Sequence, residues 1–342
     1  MSAVLAAMPL FLNAQSVTTV PVGAMTYTFP ATTQVTTTYI SIPLTNPAVY
    51  TLPVASLTAN TITFSGTPFP AGGLAQTGSP FFARIATGAQ AGRTILITAN
   101  TSSTITVDST DHSSQTTALN TSGWTVAAGD RIEVIVGDTL ASIFGDGSVN
   151  NPLKFVGGTS IFTADAVGIY NKITAKFDAY YFNTTNNYWR VNTSASNLNN
   201  IVIYPENSIQ ISQKSGRSGL ALVVIGEVPV SAPLTKITGS AATIYSGTRF
   251  PVDVKFSQLL FNNWTKANSV FTADTLGVYN PTTAKLDVFY QRLDNGQWRK
   301  SGDNVTDYTN YVLPAGSAVA IARRSAVSGS SSFVSAPVPY SL

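Results

Sequence analysis

The sequence predicts an all-β, multi-domain protein: an N-terminal β-barrel or sandwich-like domain followed by two homologous β-sandwich modules. Three observations carry this reading. Short β-branched runs recur along the whole chain, clusters of Gly, Pro, Asn and Ser separate them, and one long segment occurs twice.

In chain order, the first feature is an apolar run with Ala3, Val4 and Leu5 at one end and Leu10, Phe11 and Leu12 at the other. It is followed by Asn13-Ala14-Gln15-Ser16. This has the size of a secretory apolar region with a small-residue cleavage zone, and it is too short to span a bilayer. No Lys or Arg precedes it. Residues 1–16 therefore read either as a signal-like leader or as an apolar strand, which would pair with the body of the protein or be donated to another subunit. No later stretch reaches 18 uninterrupted apolar residues, so no transmembrane helix is expected.

Strands are expected at Thr36-Thr37-Thr38-Tyr39-Ile40-Ser41-Ile42, Thr61-Ile62-Thr63-Phe64, Thr94-Ile95-Leu96-Ile97-Thr98, Thr104-Ile105-Thr106-Val107 and residues 131–136. Helical periodicity is confined to a turn or two near residues 138–144 and 257–261. The repeat then dominates the second half. Ser160-Ile161-Phe162-Thr163-Ala164-Asp165-Ala166-Val167-Gly168-Ile169-Tyr170-Asn171 returns 109 residues later as Ser269-Val270-Phe271-Thr272-Ala273-Asp274-Thr275-Leu276-Gly277-Val278-Tyr279-Asn280. The same offset maps Lys176 and Asp178 onto Lys285 and Asp287, Trp189-Arg190 onto Trp298-Arg299, and Pro205 onto Pro314. These matches set the expected boundaries: a leader at 1–16, an N-terminal β-domain at 17–129, a first module with its connector at 130–247, and a second module at 248–342.

Composition narrows the function. The 342 residues carry no Cys, a single His and a net charge of +3, with only 10% charged residues. Disulfides, thiolate zinc sites, cysteine nucleophiles and any mechanism needing two histidines are excluded. The charge balance is too small for a nucleic-acid binder. A neutral, hydroxyl-rich surface has little repulsion to keep copies apart, which suits a secreted or cell-surface protein that packs against neighbours. Residues 1–150 hold a net charge of −3 and residues 151–342 a net of +6, which reads either as complementarity for a head-to-tail contact between subunits or as an ordinary fluctuation over sparse charges.

The N-terminal half also resembles a verrucomicrobial family of secreted, β-rich proteins of unknown function. The resemblance rests on Tyr39-Ile40-Ser41-Ile42-Pro43-Leu44, Val54-Ala55-Ser56-Leu57, Phe82-Ala83-Arg84-Ile85 with Gly88 and Gly92, and Ala128-Gly129-Asp130-Arg131-Ile132-Glu133-Val134-Ile135. It continues to Gly226-Glu227-Val228 and so covers residues 36–230. It implies export and β-architecture and assigns no catalytic residue. A second C-terminal module departs from the family pattern.

Candidate chemistry is sparse. His112 lies in a polar loop with no Gly-x-Ser-x-Gly elbow anywhere, so it reads as a solvated loop residue. The repeated Asp165 and Asp274 sit where an acid bonds turn amides, and Asp178 and Asp287 on solvated strand faces. Calcium is considered for residues 146–151 and for Asp303 with Asp307, but neither fits a twelve-residue ligand loop, and no metal site is assigned. Tyr181 with Trp189, and Tyr290 with Trp298, would be ligand-stacking platforms if exposed and hairpin core plugs if buried. The expected function is that of an exported, non-enzymatic structural or surface protein, self-assembling into a filament, sheath or layer through β-strand contacts. Residues 1–16, with Ala3, Val4, Leu5, Leu10, Phe11 and Leu12, would be its assembly element. The alternative is an extracellular glycan- or ligand-binding adhesion module that uses the paired Tyr/Trp patches.

Overall fold

The computed structural model describes residues 21–113, 116–122, 124–237, 243–261, 263–324, 332–335 and 337–340. The leader, with Ala3, Val4, Leu5, Leu10, Phe11 and Leu12, lies outside the described residues. The chain is all-β. Its first two strands, Val22–Phe29 (β1) and Thr36–Ile40 (β2), find their partners only much later in the sequence.

Between them and those partners stands a closed barrel. Its staves are Ala48–Leu57 (β3), Thr61–Phe64 (β4), Ser79–Ile85 (β6), Thr94–Asn100 (β7), Thr104–Val107 (β8) and Arg131–Val136 (β11). The antiparallel order β11-β3-β4-β8-β7-β6 returns to β11, so six strands form a ring without free edges. Ala75–Gln76 (β5) extends β6 as a hairpin, and Asn120–Thr121 (β9) pairs with Trp124–Thr125 (β10). Ile62, Ala83, Ile85, Ile95, Ile105 and Ile132 fill the ring, and Leu119 and Val126 plug it. Period-two alternation of β-branched residues makes this possible, because every second side chain points inward.

After the barrel come Asp138–Thr139 (β12) and a one-turn helix, Leu140–Phe144 (α1), capped by Thr139. The first module continues with Ala166–Asn171 (β13), Lys176–Asn183 (β14), Tyr188–Arg190 (β15), Val202–Ile203 (β16), Ile209–Gln213 (β17) and Leu220–Glu227 (β18). The second is Leu234–Ile237 (β19), Thr243–Gly247 (β20), Val254–Lys255 (β21), a 3-10 turn at Phe256–Gln258, Leu260–Phe261 (β22), Thr275–Asn280 (β23), Lys285–Gln291 (β24), Trp298–Lys300 (β25), Val312–Leu313 (β26), Ala318–Ala322 (β27) and Ser332–Ser335 (β28).

Strand pairing draws the boundaries elsewhere than at 129/130 and 247/248. The first five-stranded sheet runs β15-β14-β13-β17-β2 and the second β25-β24-β23-β27-β20, the same order twice. Ile40 faces Ile209 and Gly247 faces Ala318, so β2 and β20 occupy one position of the repeat. The ribbon β12-β16 likewise matches β21-β26. Each copy therefore begins earlier than the sequence matches show, and β11 belongs to the barrel. In the second copy β20 leads to β21 through residues 248–253, whereas in the first the same connection, residues 41–137, holds the entire barrel.

The two sheets meet at their strand ends. Ile40 bridges to Ser317 ahead of β27, and Ser246 in β20 bridges to Asn207 ahead of β17, so each copy's edge strand reaches into the other. Aromatic rings fill the seam: Tyr39 stacks on Tyr245 at 5.8 Å and contacts Tyr279 at 5.0 Å, while Tyr170 contacts Tyr245 at 5.3 Å. The Tyr170 hydroxyl donates to the Thr243 carbonyl at 2.6 Å.

The barrel is keyed to the second module at Gly92. Its φ is +90°, its carbonyl accepts from the Leu234 amide at 3.1 Å, and a Cβ there would overlap the Ala232 carbonyl oxygen. Gly92→Ala is expected to destabilise the protein by about 2–3 kcal/mol through strain and overlap together. Thermal unfolding of the two proteins side by side checks this, and an unchanged melting temperature would contradict the packing.

Candidate functional site

The four aromatic residues singled out from the sequence do not form exposed platforms. Trp189 is 1% exposed, Trp298 3%, and Tyr181 and Tyr290 2% each. Trp189 packs edge-on against Phe182 at 5.9 Å, and its indole N–H donates to the Gly145 carbonyl at 2.6 Å. Trp298 sits 5.0 Å from Phe256 and 6.0 Å from Trp264. The Arg190 guanidinium lies 6.0 Å over the Tyr181 ring, a cation–π contact internal to the hairpin. Period-two alternation puts Trp189 and Trp298 in the two sandwich cores, whereas Tyr181 and Tyr290, paired with Arg190 and Arg299, are buried on the opposite face of their hairpins.

The repeated acids are clamps. Asp165 accepts from the Val156 and Lys214 amides and pairs with Arg217 at 2.9 Å. Asp274 accepts from the Thr265 and Arg324 amides and lies 2.9 Å from Arg323. The loop carboxylates Asp146, Asp303 and Asp307 accept amides of their own turns. Backbone donors hold Asp303 well below the ordinary carboxylate range. Among the described residues no three His, Cys, Asp or Glu converge on one point.

Two features with functional potential were not legible in the sequence. The first is the β1–β18 ribbon. Met25, Tyr27, Phe29, Leu222 and Val224 point into the first module's core, and the intervening residues point out. That outer face is uncharged, with Val22 at 66%, Val223 at 54% and Ile225 at 68% exposure alongside Ala24, Thr26, Thr28 and Ala221. Among the described residues no third strand pairs with either edge; only Thr45 caps the Glu227 end. An open cleft of about 510 Å³ runs beside it, lined by Val223, Val224, Ile225, Asp138 and Lys154.

The second is the junction of barrel and modules. Buried charges knit it: Arg93 with Asp111 at 3.0 Å, Lys172 with Glu206 at 2.7 Å, and Arg84 bridging Glu133 at 2.6 Å and Glu227 at 3.1 Å. Arg249 donates to the Leu234 carbonyl and Thr94, and Lys236 to the Thr110 carbonyl. Burial alone would push the Glu206 carboxyl up, but the charges of Lys172 and Arg249 and the Lys172 hydrogen bond hold it below its ordinary value. Burial lowers Lys236 to about 8. His112 is no solvated loop residue. Its ring stacks on Tyr204 at 4.8 Å and roofs a cleft of about 370 Å³ over the first module's sheet, with Tyr180, Asp178, Asn171 and Asn200 around it. Burial, then the charge of Lys172, holds its imidazole below the usual 6.5.

These features define an all-β protein with a duplicated sandwich unit, an inserted six-stranded barrel, an open-edged ribbon and one polar aromatic cleft. No protein-family model and no curated protein matches the chain. Among the described residues no helix is long and apolar enough to cross a membrane.

Trp189→Ala and Trp298→Ala are each expected to cost about 3–5 kcal/mol, as buried aromatic truncations do, and denaturant unfolding measures it. Acid should also weaken the junction. The unfolded chain takes a proton on His112 near 6.5 and on Glu206 near 4.5, the folded chain only at lower pH. The unfolded state thus binds the extra His112 proton, and stability falls as pH drops below 6.5; toward pH 4 the lowered Glu206 continues the decline while burial, which raises Asp111, opposes it. Melting curves between pH 7.5 and 4 should show this decline, and His112→Gln should flatten its upper part.

Proposed function

We propose that this protein is an exported, non-enzymatic structural or cell-surface component that self-assembles through β-strand contacts. The observation that carries the reading is the β1–β18 ribbon, eight residues long in each strand, uncharged on its outer face and, among the described residues, without a third strand on either edge. Such an edge is a template for another chain, and natural proteins ordinarily blunt it with charge, proline or a cover. Here it offers Val22, Val223 and Ile225 instead. The apolar run with Ala3, Val4, Leu5, Leu10, Phe11 and Leu12 lies upstream of β1, separated from it by residues 13–21, and has the character of a strand that could be added to a neighbour's ribbon. Low charge removes the repulsion that would oppose it. Phe162 and Phe271, equivalent in the repeat and both strongly exposed, add two apolar contact points at the strand ends remote from the seam.

The purified full-length protein should form ordered polymers, with scattering that rises with concentration and repeating particles in negative stain. Deleting residues 1–16, or introducing Val223→Lys with Ile225→Lys, should abolish polymers while leaving the melting temperature within a few degrees. Polymers that survive both changes would refute assembly through the ribbon, and a wild-type protein that stays monomeric at all concentrations would refute self-assembly.

A further inference from the structure

The repeat supplies an internal control for the cleft under His112. Strand pairing equates Tyr180 with Phe289, and it equates Ile203 with Leu313, so that Tyr204 corresponds to Pro314. In the second module neither position carries a hydroxyl: Phe289 is fully buried and packed on Phe256 at 5.0 Å, and Pro314 is exposed. The fold therefore asks neither position for a hydroxyl. The first module carries phenols there instead, and neither hydroxyl has a hydrogen-bond partner among the described residues. Burial raises both above the ordinary tyrosine range, Tyr180 to about 12, so they are neutral donors at physiological pH.

A second difference points the same way. Asp287 in the second module is paired with Lys300 at 2.9 Å. The residue equivalent to Lys300 is Val191, so Asp178 accepts from Asn171 at 2.9 Å and, among the described residues, forms no ion pair. Lys172, whose charge reaches His112, is taken by Glu206 and the Asp111 carbonyl. The roof is preorganised: the Asp108 carboxylate accepts from the Thr110 and His112 amides and holds the loop that stacks His112 on Tyr204.

We propose that this cleft binds a neutral saccharide. Its volume, about 370 Å³, lies within the ordinary range for small-ligand sites and suits one or two sugar rings. His112 offers a ring surface to a sugar C–H face, and the buried Tyr180 and Tyr204 present their hydroxyls as donors. Asp178 and Asn200 add polar groups, and the Asp178 carboxylate disfavours anions. The site is independent of the ribbon and of assembly.

The test uses the full-length protein with cellobiose, lactose and N,N′-diacetylchitobiose as probes, read by saturation-transfer NMR and calorimetry, with sialyllactose as the anionic comparison. At least one neutral disaccharide should bind, and sialyllactose at least tenfold more weakly. Asp178→Asn, and separately Tyr180→Phe with Tyr204→Phe, which remove the charge or the two hydroxyls, should each weaken binding tenfold or more. Absence of binding by all three neutral probes would overturn the proposal. So would affinity unchanged in a variant that melts as the wild type does; Asp178→Asn serves this purpose if the double variant does not fold.

Discussion

The buried charges between the barrel and the two sheets are the constraint on which the rest of the architecture depends. Three bodies with separate cores meet there, and Arg84, Arg93, Lys172, Lys236 and Arg249 each reach from one body toward an acceptor on another or anchor the loop that does. Taking such charges out of water costs several kcal/mol per ion, which is returned only when the partners sit in good geometry. A greasy contact would tolerate sliding. These pairs tolerate little, because a displaced partner leaves a bare charge in a low-dielectric seam. The network thus fixes orientation more than it adds stability, and the cleft inherits its shape from that fixed orientation.

Duplication explains much of the remainder. The two modules share strand order, pairing register and the Asp clamps, and they pack against each other through reciprocal edge-strand bridges and a seam of tyrosines. What differs between them is informative because the fold is held constant. One copy accepted a barrel in a connection that is otherwise six residues long, and its sheet face under that barrel acquired Tyr180, Tyr204 and an acid that forms no ion pair among the described residues. The other copy kept apolar residues and a paired acid at those places.

The all-β class was legible in the alternation of β-branched residues and in the turn clusters, and the repeat in the 109-residue offset. The clamp role of Asp165 and Asp274 followed from their turn context. The beginnings of the modules were not legible, because β2 and β20 match only at Thr37 with Thr243 and Tyr39 with Tyr245, stand outside the 109-residue offset, and become equivalent only through their pairing. Nor did the sequence resolve whether Trp189 and Trp298 face solvent, since a short hairpin strand alternates equally well either way round. His112 was misjudged for a related reason: a polar loop reads as solvated unless one knows which sheet lies beneath it.

The insertion also orders events during synthesis. Val22 pairs with Glu227 and Phe29 with Leu220, so β1 waits some 200 residues of synthesis for the last strand of its own module. The barrel, whose strands are closer in sequence, can close meanwhile, because short loops are cheaper to close than long ones. The β1–β18 ribbon consequently exists only in chains completed at least through Glu227. A surface made from the two ends of a module reports that everything between them has been made, so truncated products lack the face on which the proposed assembly rests.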